Sequence, residues 1–213
     1  MGDTSLLDEL ADKEDNAQQI AKTVVEESSL VSYILTALSS REAGIRFKAA
    51  KTLRIISEKS PELLYPYFDF FKNLLDSSNN IIKWNAMDVM ANLATVDSGN
   101  KFNEIFGKFY CLLNEGSLIT ATHVIDNSGR IAEAKPYLEN RITKELLKVG
   151  EIPLPTEECR NIIKGKVILA FSQYYDRAGN KDVMLSFVKG QLNNSRNATR
   201  KKAEKFLKMS GGA

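Results

Sequence analysis

Six matched columns recur without gaps in three places along this chain, and a repeat of that kind constrains the fold more than any other feature of it. Leu38 leads to Arg46, Ala49 and Leu53; Leu75 leads at the same spacing to Lys83, Ala86 and Met90; Leu192 leads to Arg200, Ala203 and Leu207. A small polar residue (Ser39, Asp76 or Asn193) follows each leading leucine, and a β-branched one (Ile45, Ile82 or Thr199) precedes each cation. The leucine ends one helix on its apolar stripe, and the polar residue opens a tight turn by bonding local backbone amides. The alanine lets two helices approach closely. The cation falls in the first turn of the next helix, unfavourably for the dipole, and so calls for a compensating partner such as a turn residue.

Apolar spacing makes the helices explicit. Leu64, Tyr67, Phe68, Phe71, Leu74 and Leu75 step by three and four, which predicts a helix over 61–75. Leu30, Val31, Ile34, Leu35 and Leu38 repeat the step, as do Val183, Met184, Phe187, Val188 and Leu192. Ser60-Pro61 and Thr156-Glu157-Glu158 read as helix starts. Ser128-Gly129 and Ala178-Gly179 read as left-handed C-terminal stops. Strand alternation is nearly absent. The fold class expected is all-α.

On these residues the chain resembles the HEAT-repeat, armadillo-like family. Residues 61–93 carry the best single unit: Pro61, Leu64, Pro66, Leu74, Leu75, Asp76, Ile82, Lys83, Ala86, Met90 and Leu93. The resemblance implies a right-handed α-α superhelix of helical hairpins, with five units over 28–60, 61–98, 99–131, 132–177 and 178–209. The third has a shortened turn at Asn114-Glu115-Gly116 and no cation in the expected column, and the fourth carries an insertion over Gly150–Pro155. An acidic helical cap over 1–27 precedes the hairpins, because an end unit needs a polar outer face. Residues 210–213 read as a flexible tail.

Lys and Arg total 29 against 27 Asp and Glu, a net of +2, so polyanion binding does not follow from the whole. The distribution is uneven: residues 1–27 hold eight acidic and two basic side chains, leaving 27 basic against 19 acidic in the rest. That polarity makes docking of the acidic segment on the basic surface a hypothesis in its own right. No run approaches the roughly 20 apolar residues of a membrane span. Met1-Gly2 lacks the Ser or Thr of a myristoylation start, since Leu6 stands there. Cys111 and Cys159 form neither a disulfide framework nor a zinc site. A cytoplasmic protein without cofactor or structural metal is expected.

No nucleophile motif, phosphate-binding glycine loop or metal-ligand spacing is present, and a non-enzyme is expected. His123 and Asp126 share one helix face, as do Trp84 and Asp88; in each pair the incidental reading outweighs the catalytic one. In the family the second helix of each hairpin lines a concave surface, here residues 46–57, 83–95, 118–128, 160–174 and 199–208. The candidate contacts are Arg46, Lys48, Lys51, Trp84, Asn85, Asp88, His123, Lys164, Arg200, Lys201 and Lys205. The function expected is a scaffold that binds a protein partner, with an acidic one among the candidates. The alternative is a nucleic-acid-binding protein related in architecture to the HEAT-like DNA-alkylation-repair glycosylases. Tyr65 and Phe70 fall off the core stripe and read as packing between repeats. The sequence sets no oligomeric state.

Overall fold

The computed structural model describes residues 3–211, with side chains from Leu6 onward; Met1-Gly2 and the last two residues of the expected tail lie outside the described residues. No strand occurs among the described residues. The chain forms two compact units, one ending at Asn100 and the other beginning at Lys101.

The first unit contains α1 (Asp3–Ala11), α2 (Ala17–Glu26), α3 (Val31–Ala37), α4 (Ala43–Lys59), α5 (Pro61–Leu64), α6 (Phe68–Leu74) and α7 (Asn80–Leu93). Helices α2, α4 and α7 pack side by side as one layer, and α3 and α6 cover α4 and α7 as first helices of hairpins. The acidic N-terminal segment therefore stands where a preceding hairpin would, with Ile20, Ala21 and Val24 completely buried. The apolar spacing predicts one helix over 61–75. Two short ones form instead, joined by a 3-10 turn at Tyr65–Tyr67. Pro66 supplies no amide hydrogen, and its ring clashes with the preceding turn. Leu64 before the break and Phe68 and Phe71 after it are all buried, and burying each phenylalanine stabilises by about 2–3 kcal/mol.

The second unit contains α8 (Lys101–Cys111), α9 (Leu118–Ala134), α10 (Glu139–Leu147), α11 (Glu157–Tyr174), α12 (Lys181–Gly190) and α13 (Asn197–Met209). Here α9, α11 and α13 make the second-helix layer. Two glycine stops are corrected. Helix α9 runs through Ser128-Gly129 to Ala134, because the Ser128 hydroxyl donates to the Val124 carbonyl within the helix and accepts from the buried Tyr110 hydroxyl. Gly179 has no left-handed φ either; among the described glycines that conformation belongs to Gly116 and Gly211.

The small-residue column does what its chemistry implies: Ala49, Ala86 and Ala203 are buried where helices meet. Gly165 goes further, since a Cβ there would lie 2.7 Å from the Thr199 hydroxyl on α13. The leading leucines are less uniform. Leu38 and Leu75 are buried, whereas Leu192 sits in a 3-10 turn at Gln191–Asn193 and is 39% exposed, with no further hairpin among the described residues to cover it.

Candidate functional site

The two arginines of the repeated column have the compensating partner their position demands. Arg46, at the fourth residue of α4, donates to the Ser40 carbonyl at 2.7 Å. Arg200, at the fourth residue of α13, donates to the Asn194 and Ser195 carbonyls at 2.7 and 3.1 Å. Arg160 occupies the same place in α11 and reaches the Leu154 carbonyl at 3.1 Å, a third copy that lies outside the gapless repeat. Each guanidinium satisfies turn carbonyls that hairpin closure leaves without partners. Arg46 and Arg200 are thus tied to their own turns.

Lys48 and Lys51 face the acidic segment. The Lys48 ammonium donates to the carbonyls of Glu9, Asp12 and Glu14 at 3.2, 2.5 and 2.9 Å, closing the C-terminal end of α1. Lys51 pairs with Asp15 at 2.5 Å, and that bond and charge hold the Asp15 carboxyl below its ordinary pKa. The acidic segment thus occupies this part of the basic strip on α4.

Trp84, Asn85 and Asp88 are half-buried on the exposed stripe of α7, which begins at Ile81. The Asn85 amide turns back to the Ile81 carbonyl at 2.8 Å. Tyr65 packs edge-on against Phe68 and donates its hydroxyl to the buried Asp97 carboxylate at 2.8 Å, and Phe70 packs edge-on against Phe71.

In the second unit the exposed stripe of α9 carries Ile119, His123, Asp126 and Glu133. Asp126 is paired with Lys166 of α11 at 2.6 Å. Lys164 lies elsewhere: it is half-buried at helical spacing with the buried Ile168 and Phe171, whereas Ile162, Lys166, Leu169 and Gln173 form the stripe of α11 that meets solvent. Lys201, Lys205 and Lys208 recur along α13 and are exposed.

Beside them is a cluster that sequence spacing does not reveal, because it spans two helices, α11 and α13. Lys202 lies across Gly165, where a Cβ would meet its Cδ and Nζ at 3.5 Å. Burial and the nearby Lys166 and Arg196 charges push the Lys202 pKa down. Arg196 pairs with Glu158. Lys202 and Lys205 border a shallow cleft of about 160 Å³ with Leu169 and Met209, which are 42% and 71% exposed. The surface combines desolvated positive charge with apolar side chains open to solvent. No group of three or more His, Cys, Asp or Glu residues placed to hold a metal occurs among the described residues. No helix among them is long and apolar enough to cross a membrane.

No family model matches the chain, and no curated protein matches it either. Solved structures match its fold. An engineered protein solved as a structural-genomics target aligns with a TM-score of 0.55 at 18% identity, covering 99% of this chain and 91% of its own. A designed armadillo repeat protein aligns with a TM-score of 0.53 at 15% identity, covering 97% of this chain and 92% of its own. The fold is an all-α helical repeat of the armadillo/HEAT type. Its hairpins place α9, α11 and α13 side by side, and that layer carries the cationic cluster.

Proposed function

We propose that the chain is a non-catalytic repeat scaffold whose second-helix face in the second unit takes an acidic segment of a protein partner. The observation that carries this reading is Lys202, a cation pressed against Gly165 beside Lys166 and Arg196, with Leu169 and Met209 exposed next to it. A carboxylate on a partner would relieve the like-charge repulsion, and an apolar side chain beside it would bury Leu169 and Met209. The contacts are Lys202, Lys205 and Lys201, with Lys166 reaching the same face. Arg46, Arg200, Lys48 and Lys51 hold turns and the N-terminal segment instead. Within the second unit, His123 adds a polar group on the exposed stripe of α9. A cytoplasmic setting suits a scaffold that carries two free thiols.

The test is affinity capture from native lysate with the wild-type chain and with the Lys202→Glu/Lys205→Glu variant, at about 0.15 M and about 0.5 M salt. The expected result is a set of proteins retained by the wild type, bound less at high salt and lost from the variant. An identical set on both baits overturns the reading. A gel shift of labelled duplex or single-stranded DNA at about 50 mM salt, abolished by the same substitutions, would replace the protein partner with a nucleic acid.

A further inference from the structure

We infer a second recognition site in the second unit, a groove between the first helices α8 and α10 that takes an acidic peptide segment bearing one aromatic side chain. The groove measures about 560 Å³ and is lined on one wall by Phe106, Gly107 and Cys111 and on the other by Arg141, Lys144 and Lys148. None of these residues belongs to the second-helix layer, so the site is separate from the face proposed above.

Charge sets the class of occupant. Three cations line the groove against one carboxylate, Glu145, which is paired with Lys148 at 3.0 Å. Arg141 is held in one orientation: its guanidinium lies 4.0 Å over the Phe106 ring, and one nitrogen donates to the Asn103 side-chain carbonyl at 2.6 Å. Phe106 stacks at 4.5 Å from Tyr110, which fixes the floor in turn. A guanidinium anchored along one edge and over one face keeps its remaining donors and its outer face for a ligand, which suits a carboxylate and a flat ring together. Lys144 is exposed beside it and lacks an ion-pair partner among the described residues.

Gly107 is the independent observation. It lies in the middle of α8, where glycine weakens a helix relative to alanine, yet a Cβ there would meet nothing within 4 Å. Neither a left-handed backbone nor a close neighbour requires glycine at this point. What the missing side chain does is hold the groove open over the helix backbone.

The probe is a fluorescein-labelled pentapeptide, Glu-Asp-Trp-Asp-Glu, followed by anisotropy on the full chain. Cys111, exposed in the groove wall, gives a second readout through its rate of alkylation. The wild type is expected to bind below about 1 mM, and the peptide to slow alkylation of Cys111. Arg141→Ala/Lys144→Ala and Gly107→Leu should each weaken binding about tenfold, the latter without loss of thermal stability because open space surrounds it. The Lys202→Glu/Lys205→Glu variant should bind this peptide as the wild type does, which separates failure of this site from failure of the second-helix face. No binding at about 1 mM, or equal binding by Gly107→Leu, overturns the inference. It also falls if a Trp-to-Ala peptide binds equally and inorganic pyrophosphate displaces it, since the groove would then be a small-anion site.

Discussion

The Arg160 guanidinium donates to the carbonyl of Leu154, six residues earlier, at 3.1 Å. Arg46 makes the same reach to Ser40 and Arg200 to Asn194, so one device closes three hairpins whose turns differ in length and composition. Substituting methionine keeps much of the aliphatic stem and removes the donors. Arg46→Met, Arg160→Met and Arg200→Met should each cost about 1–2 kcal/mol through a turn carbonyl left without its charged partner. Urea unfolding reads this directly, and an unchanged midpoint in all three would remove the structural role assigned to the arginines.

These arginines also show where sequence reasoning stopped. The column containing Arg46, Lys83 and Arg200 is visible because its leucine and alanine neighbours hold register; around Arg160 the corresponding positions are Ile152, Ile163 and Val167, and the register is lost. Apolar spacing located the helices, since Leu64, Phe68, Phe71 and Leu75 all reach the core. Cap chemistry was partly legible. Thr156 accepts the Cys159 amide as expected, whereas Ser60 makes no side-chain cap bond and Asn79 and Ser117 cap α7 and α9. The candidate site was least legible. Lys166, Lys202 and Arg196 come together through packing of α11 on α13, and a one-helix pattern carries no record of its neighbour.

Lys48 governs the N-terminal hairpin. Lys48→Met removes the donor shared by the carbonyls of Glu9, Asp12 and Glu14, and should raise amide hydrogen exchange over residues 6–16 while the exchange of α7 stays unchanged. The Asp15–Lys51 pair adds a pH dependence. The folded pKa of Asp15 is lowered, so its contribution is complete above the ordinary 3.8 and is lost as pH falls through the lower folded value. Exchange in the segment should therefore rise below about pH 4 in the wild type, and Lys51→Met should flatten that component. Equal protection in wild type and Lys48→Met would show that apolar contacts of α2 alone hold the hairpin.

Gly165 and Gly107 should respond to alanine in opposite directions. At Gly165 the new methyl would meet the Thr199 hydroxyl at 2.7 Å, and that hydroxyl is buried and fixed by its bond to the Asn161 carbonyl at 2.8 Å. Overpacking of this kind costs about 1–3 kcal/mol. At Gly107 the methyl enters open space and removes a helix-interior glycine, a gain of about 0.8 kcal/mol. Thermal melts of the two variants give the comparison, and a stabilised Gly165→Ala would contradict the close approach of α11 and α13.

Lys202 should be a net cost to the isolated chain. Its folded pKa is lowered, chiefly by burial and then by Lys166 and Arg196, so its stability contribution is present above the ordinary 10.5 and is lost as pH falls through the lower folded value. At neutral pH the folded state carries the penalty in full. Lys202→Met should stabilise the chain slightly at neutral pH, and that gain should shrink as pH approaches the ordinary lysine value. A destabilised Lys202→Met at neutral pH would mean that the side chain is held by attraction rather than tolerated against repulsion.

Asn161 offers the sharpest test of how one hairpin is fixed to the next. Its amide donates to the Ser195 hydroxyl at 2.8 Å, its side-chain oxygen accepts from Asn194 at 3.0 Å, and its backbone carbonyl accepts from Thr199. Asn161 and Asn194 are both buried, so water does not replace a lost partner at full strength. Asn161→Ala should cost about 2–3 kcal/mol. Asn194→Ala should cost at least as much, because its side chain also donates to Gln191 at 3.0 Å and accepts from the Arg196 amide at 2.9 Å. A double-mutant cycle between the two should return a coupling of about 1 kcal/mol, as expected of buried polar groups in direct contact. Additive losses would mean that the two asparagines serve their own turns independently, and that apolar packing alone sets α13 against α11.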